Sequence, residues 1–279
     1  MAEGLRSVAP MGVTFSRIII GFATLAFIPA ARKSIGRDAW PHIALLGVLW
    51  FALPMSMFPF AEQRVSSALT GMLNASTPLF VATVAAFIAH KAPSRRVMFG
   101  LLTGLAGSVL VALPSLHEGG SSAVGVFLIM VATASYGFAQ NLARPLQLRY
   151  GALPVIWRAL GVAALLTSPL GLPDVAAAHW HMAPVFSLLA LGAFGTGAAF
   201  VLLTMATGRV GATRASAAAF LMPPVALLLG LVVRSEQVAT LSVVGSAICV
   251  AGAWMVRPQS KPQGPPKIKV VQYAQCATD

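Results

Sequence analysis

Ser67, Thr70, Asn74 and Thr77 recur at intervals of three and four inside an apolar stretch, so they share one face of a helix. Such a polar face has two uses. Its hydroxyls and amides either bond across to neighbouring helices as packing glue or line a cavity where a ligand meets their donors and acceptors. Asn74, whose amide both donates and accepts, is the strongest ligand candidate, with Thr70 and Thr77 beside it. Thr133, Tyr136 and Gln140 form a second stripe open to the same two readings, with Asn141 near its end. Trp50 suits an apolar cavity wall and equally a lipid-facing or core position. Arg17 and Arg158 lie in apolar runs close to their ends, where interfacial anchoring competes with contact to an anionic substrate group.

Other chemistries lack their residues. The histidines His42, His90, His117, His179 and His181 are scattered without carboxylate partners, so no acid–base or nucleophilic constellation is expected and no catalytic residue is assigned. His179-Trp180-His181 has no third ligand nearby and reads as part of an interfacial aromatic belt rather than a metal site; no metal or cofactor is expected. No Asp or Glu falls in the middle of an apolar run, which removes the usual device for proton coupling or for holding a cationic drug. Cys249 and Cys276 suggest no disulfide framework.

The elements that position these residues follow from composition. Of 279 residues, 57% are apolar and 9% are Asp, Glu, Lys or Arg, against about 25% charged in an ordinary soluble domain. With a mean hydropathy of +0.82, the apolar side chains must face lipid or one another. Runs of membrane-crossing length fall at 11–30, 41–60, 66–90, 97–116, 123–142, 154–172, 184–206, 213–233 and 238–256, an all-α chain of nine spans. Turn and charge signals separate them, among them Ala92-Pro93-Ser94, Glu118-Gly119-Gly120, Arg149-Tyr150-Gly151 and Leu172-Pro173-Asp174. Beyond Arg257 the Pro-rich polar tail is too hydrophilic to join the bundle and is expected to be disordered.

Alternating loops sort the cations. Fourteen of nineteen Lys and Arg fall on one side, three on the other, and the second side holds five of the seven acids. The positive-inside rule makes the first side cytoplasmic, with the C-terminus inside, and explains a net charge of +12 without a nucleic-acid partner.

A shift of 145 residues lays Gly47 on Gly192, Arg64-Val65 on Arg209-Val210, Pro78 on Pro223, Gly100 on Gly245 and Gly107 on Gly252 without a gap. Lys91, Arg95 and Arg96 fall inside while the corresponding Arg234 and Glu236 fall outside, so the two copies are inverted. Pro78 and Pro223, at matching positions within spans, predict paired kinks at a central cavity; bends made only for packing are the alternative. Gly100, Gly104 and Gly107 predict a close helix contact. An inverted repeat needs an odd number of spans, and the copies hold four and five, so a further first helix is expected upstream of Met1.

The chain resembles the ten-helix family of two EamA-type repeats in the drug/metabolite transporter superfamily. The run from Arg64 through Asn74 to Pro78 is similar to that family's fourth helix, and Arg209 through Pro223 to its ninth; Glu236, Gly245 and Gly252 fit the end of its second repeat. Lys91 departs from it, standing where the first repeat often has an acid. The resemblance implies a first repeat at 1–116, a second at 117–256, a tail at 257–279, and a multi-pass protein of the bacterial inner (plasma) membrane. Together with the missing acids it implies alternating-access transport of a small neutral or zwitterionic, amino acid-like metabolite. Its partners would be that small molecule and the lipid bilayer, with the choice of monomer or homodimer open. A non-transporting accessory or remnant protein is the alternative, and an intramembrane lipid-modifying enzyme a weaker one.

Overall fold

A computed structural model describes residues 8–114, 122–178, 182–225, 227–228 and 239–257. His179-Trp180-His181, Glu118-Gly119-Gly120, Arg234, Glu236 and the tail from Pro258 lie outside the described residues. Within the described residues the chain is a helical bundle, as a backbone in hydrocarbon must be if it satisfies its own polar groups. Helix α1 is Pro10–Ala26. Helix α2 covers 40–62, α-helical over Trp40–Gly47, π-helical over Val48–Ala52 and α-helical again over Leu53–Glu62. Helices α3 (Ser67–Asn74), α4 (Thr77–Ala89), α5 (Arg95–Ala112), α6 (Ala123–Tyr150) and α7 (Ala152–Ala176) follow. Helix α8 covers 182–210 with a π-helical centre at Leu191–Ala198. Helix α9 (Ala212–Ser216) runs into a 3-10 turn at Ala217–Leu221, and α10 is Thr240–Val256.

Among the described residues, six helical stretches, Arg37–Glu62, Leu69–Ala89, Arg95–Ala112, Ala123–Tyr150, Ala152–Ala176 and Val185–Val210, are long and apolar enough to cross a membrane; α1 and α10 are shorter apolar helices. The tightest reversals, between α6 and α7 and between α8 and α9, each rest on a single glycine with positive φ, Gly151 at 85° and Gly211 at 88°. Only glycine enters that region without strain.

Three departures from the sequence expectation carry physical reasons. The span expected at 66–90 is interrupted at Ala75–Ser76, so Pro78 sits in the first turn of α4, where its missing amide hydrogen leaves no bond unmade. Pro223 likewise follows a change of helix type, after the 3-10 turn at Ala217–Leu221. The break expected at Leu172-Pro173-Asp174 is absent, because α7 runs on to Ala176 and carries Asp174 to the start of α1. There its Oδ2 accepts from the Gly12 amide at 3.1 Å, satisfying a first-turn donor that α1 cannot satisfy itself.

The Gly100, Gly104 and Gly107 face of α5 packs on α10. A Cβ on Gly107 would lie 2.7 Å from the Gly245 carbonyl oxygen, and one on Gly245 2.7 Å from that of Gly107. Gly100 and Gly252 stand in the same mutual relation, at 3.0 and 2.8 Å. Lipid is as apolar as a side chain, so helices in a bilayer associate through such backbone approach rather than through hydrophobic burial. Under the 145-residue shift the pair Gly107/Gly245 becomes Gly252/Gly100, so one contact is the repeat image of the other.

One end of the bundle gathers the cations. There Arg149 is ion-paired with Asp38, Arg158 donates to the carbonyl oxygens of Ala31 at 3.2 Å and Lys33 at 2.8 Å, and Arg96 donates to that of Met255 at 3.1 Å. Arg158 thus anchors a helix end. Glu62 and Asp174 close helices at the opposite end.

Candidate functional site

The middle of the bundle holds a cavity of about 490 Å³, within the range of small-molecule sites. Thr70, Asn74, Thr77, Tyr136, Gln140 and Trp50 all line it. The side chain of Ser67 lies outside the described part of the chain, and Thr133 points elsewhere, its hydroxyl donating to the carbonyl oxygens of Ile129 and Met130 on its own helix.

The interruption between α3 and α4 shapes one wall. Ending α3 at Asn74 leaves carbonyl groups without helical partners, and Thr77 Oγ1 donates to the Asn74 carbonyl oxygen at 2.7 Å while Ser76 Oγ donates to that of Leu73 at 2.6 Å. Thr77 Oγ1 also lies 3.3 Å from Asn74 Oδ1, sharing its one hydrogen, and the Asn74 NH2 group meets no acceptor among the described residues. Thr70 Oγ1, on the same helix as Asn74, and Gln140 Oε1, on α6, are buried and find no hydrogen-bond partner among the described residues. A buried polar atom left unpaired costs about 1–3 kcal/mol, so these two oxygens are poised to gain from any donor that enters.

Aromatic rings supply the apolar side. Tyr136 stacks on Phe58 with centroids 6.0 Å apart, and Trp50, only 1% exposed, meets Phe200 edge-on at 5.4 Å. Trp50 is therefore both core and cavity wall, and it sits in the π-helical turn of α2. Gly195, its neighbour across the cavity, sits in the π-helical turn of α8. The two turns occupy matching positions in the repeat, since Val48–Ala52 shifts onto 193–197. π-Helical turns widen a helix and leave backbone groups for outside partners. Ser135 Oγ takes the Leu49 carbonyl at 2.7 Å in the first, and Thr196 Oγ1 takes that of Leu191 at 3.1 Å in the second.

Two charged residues join the cavity that spacing alone did not place there. Arg17, for which interfacial anchoring competed with substrate contact, lines the cavity and donates through Nε to Thr196 Oγ1 at 3.2 Å. Glu62, the last residue of α2, lines it too, within electrostatic reach of Arg17. The available signal for Arg17 was its presence in an apolar run at all, because an intramembrane cation is costly unless it has a purpose. Glu62 gave none, since by position it belongs to a loop. Gly71, Phe58, Phe200, Ser216 and Met222 also line the cavity and were equally silent in the sequence.

The family model of the EamA-like transporter family matches residues 1–113 and 123–257. The chain belongs to this family. Among its relatives is an uncharacterised transporter, YoaV, of Bacillus subtilis, 26% identical over 264 residues that cover 91% of this chain and 89% of that one. A probable terminal-alkyne amino-acid exporter of Streptantibioticus cattleyicolor is 26% identical over 258 residues, covering 91% and 86%. An uncharacterised transporter of Archaeoglobus fulgidus is 22% identical over 253 residues, covering 90% of each. A crystal structure at 18% identity overlays with a TM-score of 0.74 across 91% of this chain and 90% of the other, a likeness of fold. The protein is thus a polytopic membrane transporter of the EamA family and not an enzyme.

Proposed function

We propose that this EamA-family transporter moves a small zwitterionic metabolite of the amino-acid class across the bacterial inner membrane by alternating access, with its C-terminus in the cytoplasm. The observation that carries the reading is the presence of Arg17 and Glu62 in one cavity. A guanidinium is a fork for a carboxylate and a carboxylate is an acceptor for an ammonium, so one molecule bearing both groups is complementary to the pair. The Thr70 and Gln140 oxygens, unpaired among the described residues, and the Asn74 amide supply neutral contacts in the same cavity, and Tyr136, Phe58 and Trp50 offer a face for a side chain. A purely cationic drug would leave Arg17 opposed to it in a low-dielectric site. The amino-acid exporter among the relatives points the same way.

The test is a substrate panel: cells overexpressing the protein are challenged with inhibitory amino acids, their N-acetyl derivatives and their methyl esters. Protection is expected against one or more free amino acids and against neither blocked form, since each derivative removes one charge. Asn74→Leu and Tyr136→Leu are expected to cut flux at least tenfold while the protein stays inserted and abundant. Protection that persists with both blocked forms, or wild-type flux in both variants, refutes the assignment of this cavity to a zwitterion.

A further inference from the structure

We propose that the cation-rich end of the bundle carries a binding site for an anionic phospholipid, whose phosphodiester sits among Lys91, Arg144 and Arg214. These three residues line a second cavity of about 640 Å³ between α4, α6 and the start of α9. They come from three separate places in the chain and converge on one groove, and no Asp or Glu is in its lining. Among the described residues the acid at this end of the bundle is Asp38, and Arg149 is its partner. Among the described residues no carboxylate therefore neutralises the three cations, and the groove is complementary to an anion.

The walls say which kind of anion. Ile88 and Leu148 line the groove and are each 63% exposed, so it opens sideways onto the hydrocarbon that surrounds a membrane-crossing bundle. A free inorganic anion would meet methyl groups on that side and gain nothing from them. A phospholipid satisfies both halves, with phosphate at the cations and an acyl chain along Ile88 and Leu148. Two guanidiniums and an ammonium suit the purpose, because the Arg forks bind two phosphate oxygens each while Lys acts as a point charge. An anionic lipid surface attracts basic groups at this depth, and basic pockets between spans on the cytoplasmic side are known to take lipid head groups.

The groove is separate from the central cavity. Helices α4 and α6 close between them, where Asn141 Nδ2 donates to the Val81 carbonyl oxygen at 3.0 Å and a Cβ on Gly137 would lie 2.9 Å from that of Phe80. A lipid in the groove braces the same helices that present Thr77, Gln140 and Ser216 to the substrate cavity, from the other side of that closure.

Binding is measured on the purified full-length protein in a neutral detergent by titration with dioctanoyl phosphatidylglycerol, dioctanoyl phosphatidylcholine or inorganic phosphate, with native mass spectrometry and the melting temperature as readouts. Phosphatidylglycerol is expected to bind saturably and at least tenfold more tightly than phosphatidylcholine, and phosphate alone to give no shift. With about 1 kcal/mol per basic side chain at a lipid surface, each cation contributes about fivefold, so the triple variant Lys91→Gln/Arg144→Gln/Arg214→Gln is expected to weaken phosphatidylglycerol about a hundredfold. Arg37→Gln/Arg257→Gln, off the groove, is expected to leave it within twofold. Should the triple variant not fold, Arg144→Gln and Lys91→Gln taken singly are each expected to show the fivefold loss. Equal affinity for the two lipids, equal loss in the off-groove control, or full competition by inorganic phosphate overturns the proposal.

Discussion

Gly71 offers the sharpest probe of the central cavity as the proposed substrate site. It lies in α3 on the cavity wall, and a Cβ placed there would meet nothing within 4 Å. Replacement by leucine thus adds side chain to open space without pushing on the protein, and in a helix it exchanges the poorest ordinary former for one of the best, a gain of up to about 1 kcal/mol. The fold should not suffer. The cavity should: four heavy atoms, at about 30 Å³ each on the scale of a water's share, remove about 120 Å³, roughly a quarter of the 490 Å³ present. A substrate that fills the site must then compress its surroundings at a cost of about 1–3 kcal/mol, which at about 1.4 kcal/mol per decade is roughly a tenfold to hundredfold loss of affinity. A small substrate loses little. The assay is counterflow in proteoliposomes with competitors graded in size from alanine through leucine to tryptophan, on wild type, Gly71→Ala and Gly71→Leu. The size limit should fall in that order, with melting temperatures equal to or above wild type. An unchanged size profile in a stable Gly71→Leu protein would refute the placement of the substrate in this cavity.

Other outcomes are expected from the same geometry. Gly252→Ala would bring a Cβ within 2.6 Å of the Gly104 Cα and 2.8 Å of the Gly100 carbonyl oxygen, backbone atoms that cannot rotate aside, so a loss of about 1–3 kcal/mol is expected and thermal unfolding in detergent should register it. Unchanged melting would mean that α5 and α10 are less closely apposed than described. Reporter fusions after residue 257 should read cytoplasmic, and a fusion near 174 external; the reverse pattern would overturn the orientation drawn from fourteen cations against three.

How much of this was legible beforehand depended on the kind of signal. Asn74, Thr70 and Thr77 could be grouped because three-and-four spacing puts residues on one helix face, and the cavity collects all three. Tyr136 and Gln140 were found by the same rule on another helix. The rule says nothing about which stripes face each other, so Thr133 belonged to the pattern and yet bonds within its own helix. Arg17 and Glu62 escaped because their positions were judged by distance from a span end, whereas in the packed bundle both line the cavity. The π-helical turns also had no clear signature, since an inserted residue leaves hydropathy unchanged; the glycines at 192, 195 and 197 were the trace available. Pro78 marked a real interruption but not its form, because a proline signals where a helix is interrupted and cannot say whether the chain bends or begins again.

The glycine seam between α5 and α10 bears on energetics as well as on assembly. In the alternating-access cycle proposed above, with two inverted copies, the inward-facing and outward-facing forms would be related by letting each copy take the other's shape. The Gly107/Gly245 contact then becomes the Gly252/Gly100 contact, and the reverse, so these two contacts exchange, whereas Gly104 exchanges with Cys249. Contacts that merely exchange contribute equally before and after. The paired glycines can hold α5 and α10 as tightly as close backbone contact allows without favouring either orientation, leaving the balance between the two forms to positions where the copies differ, Gly104 and Cys249 among them.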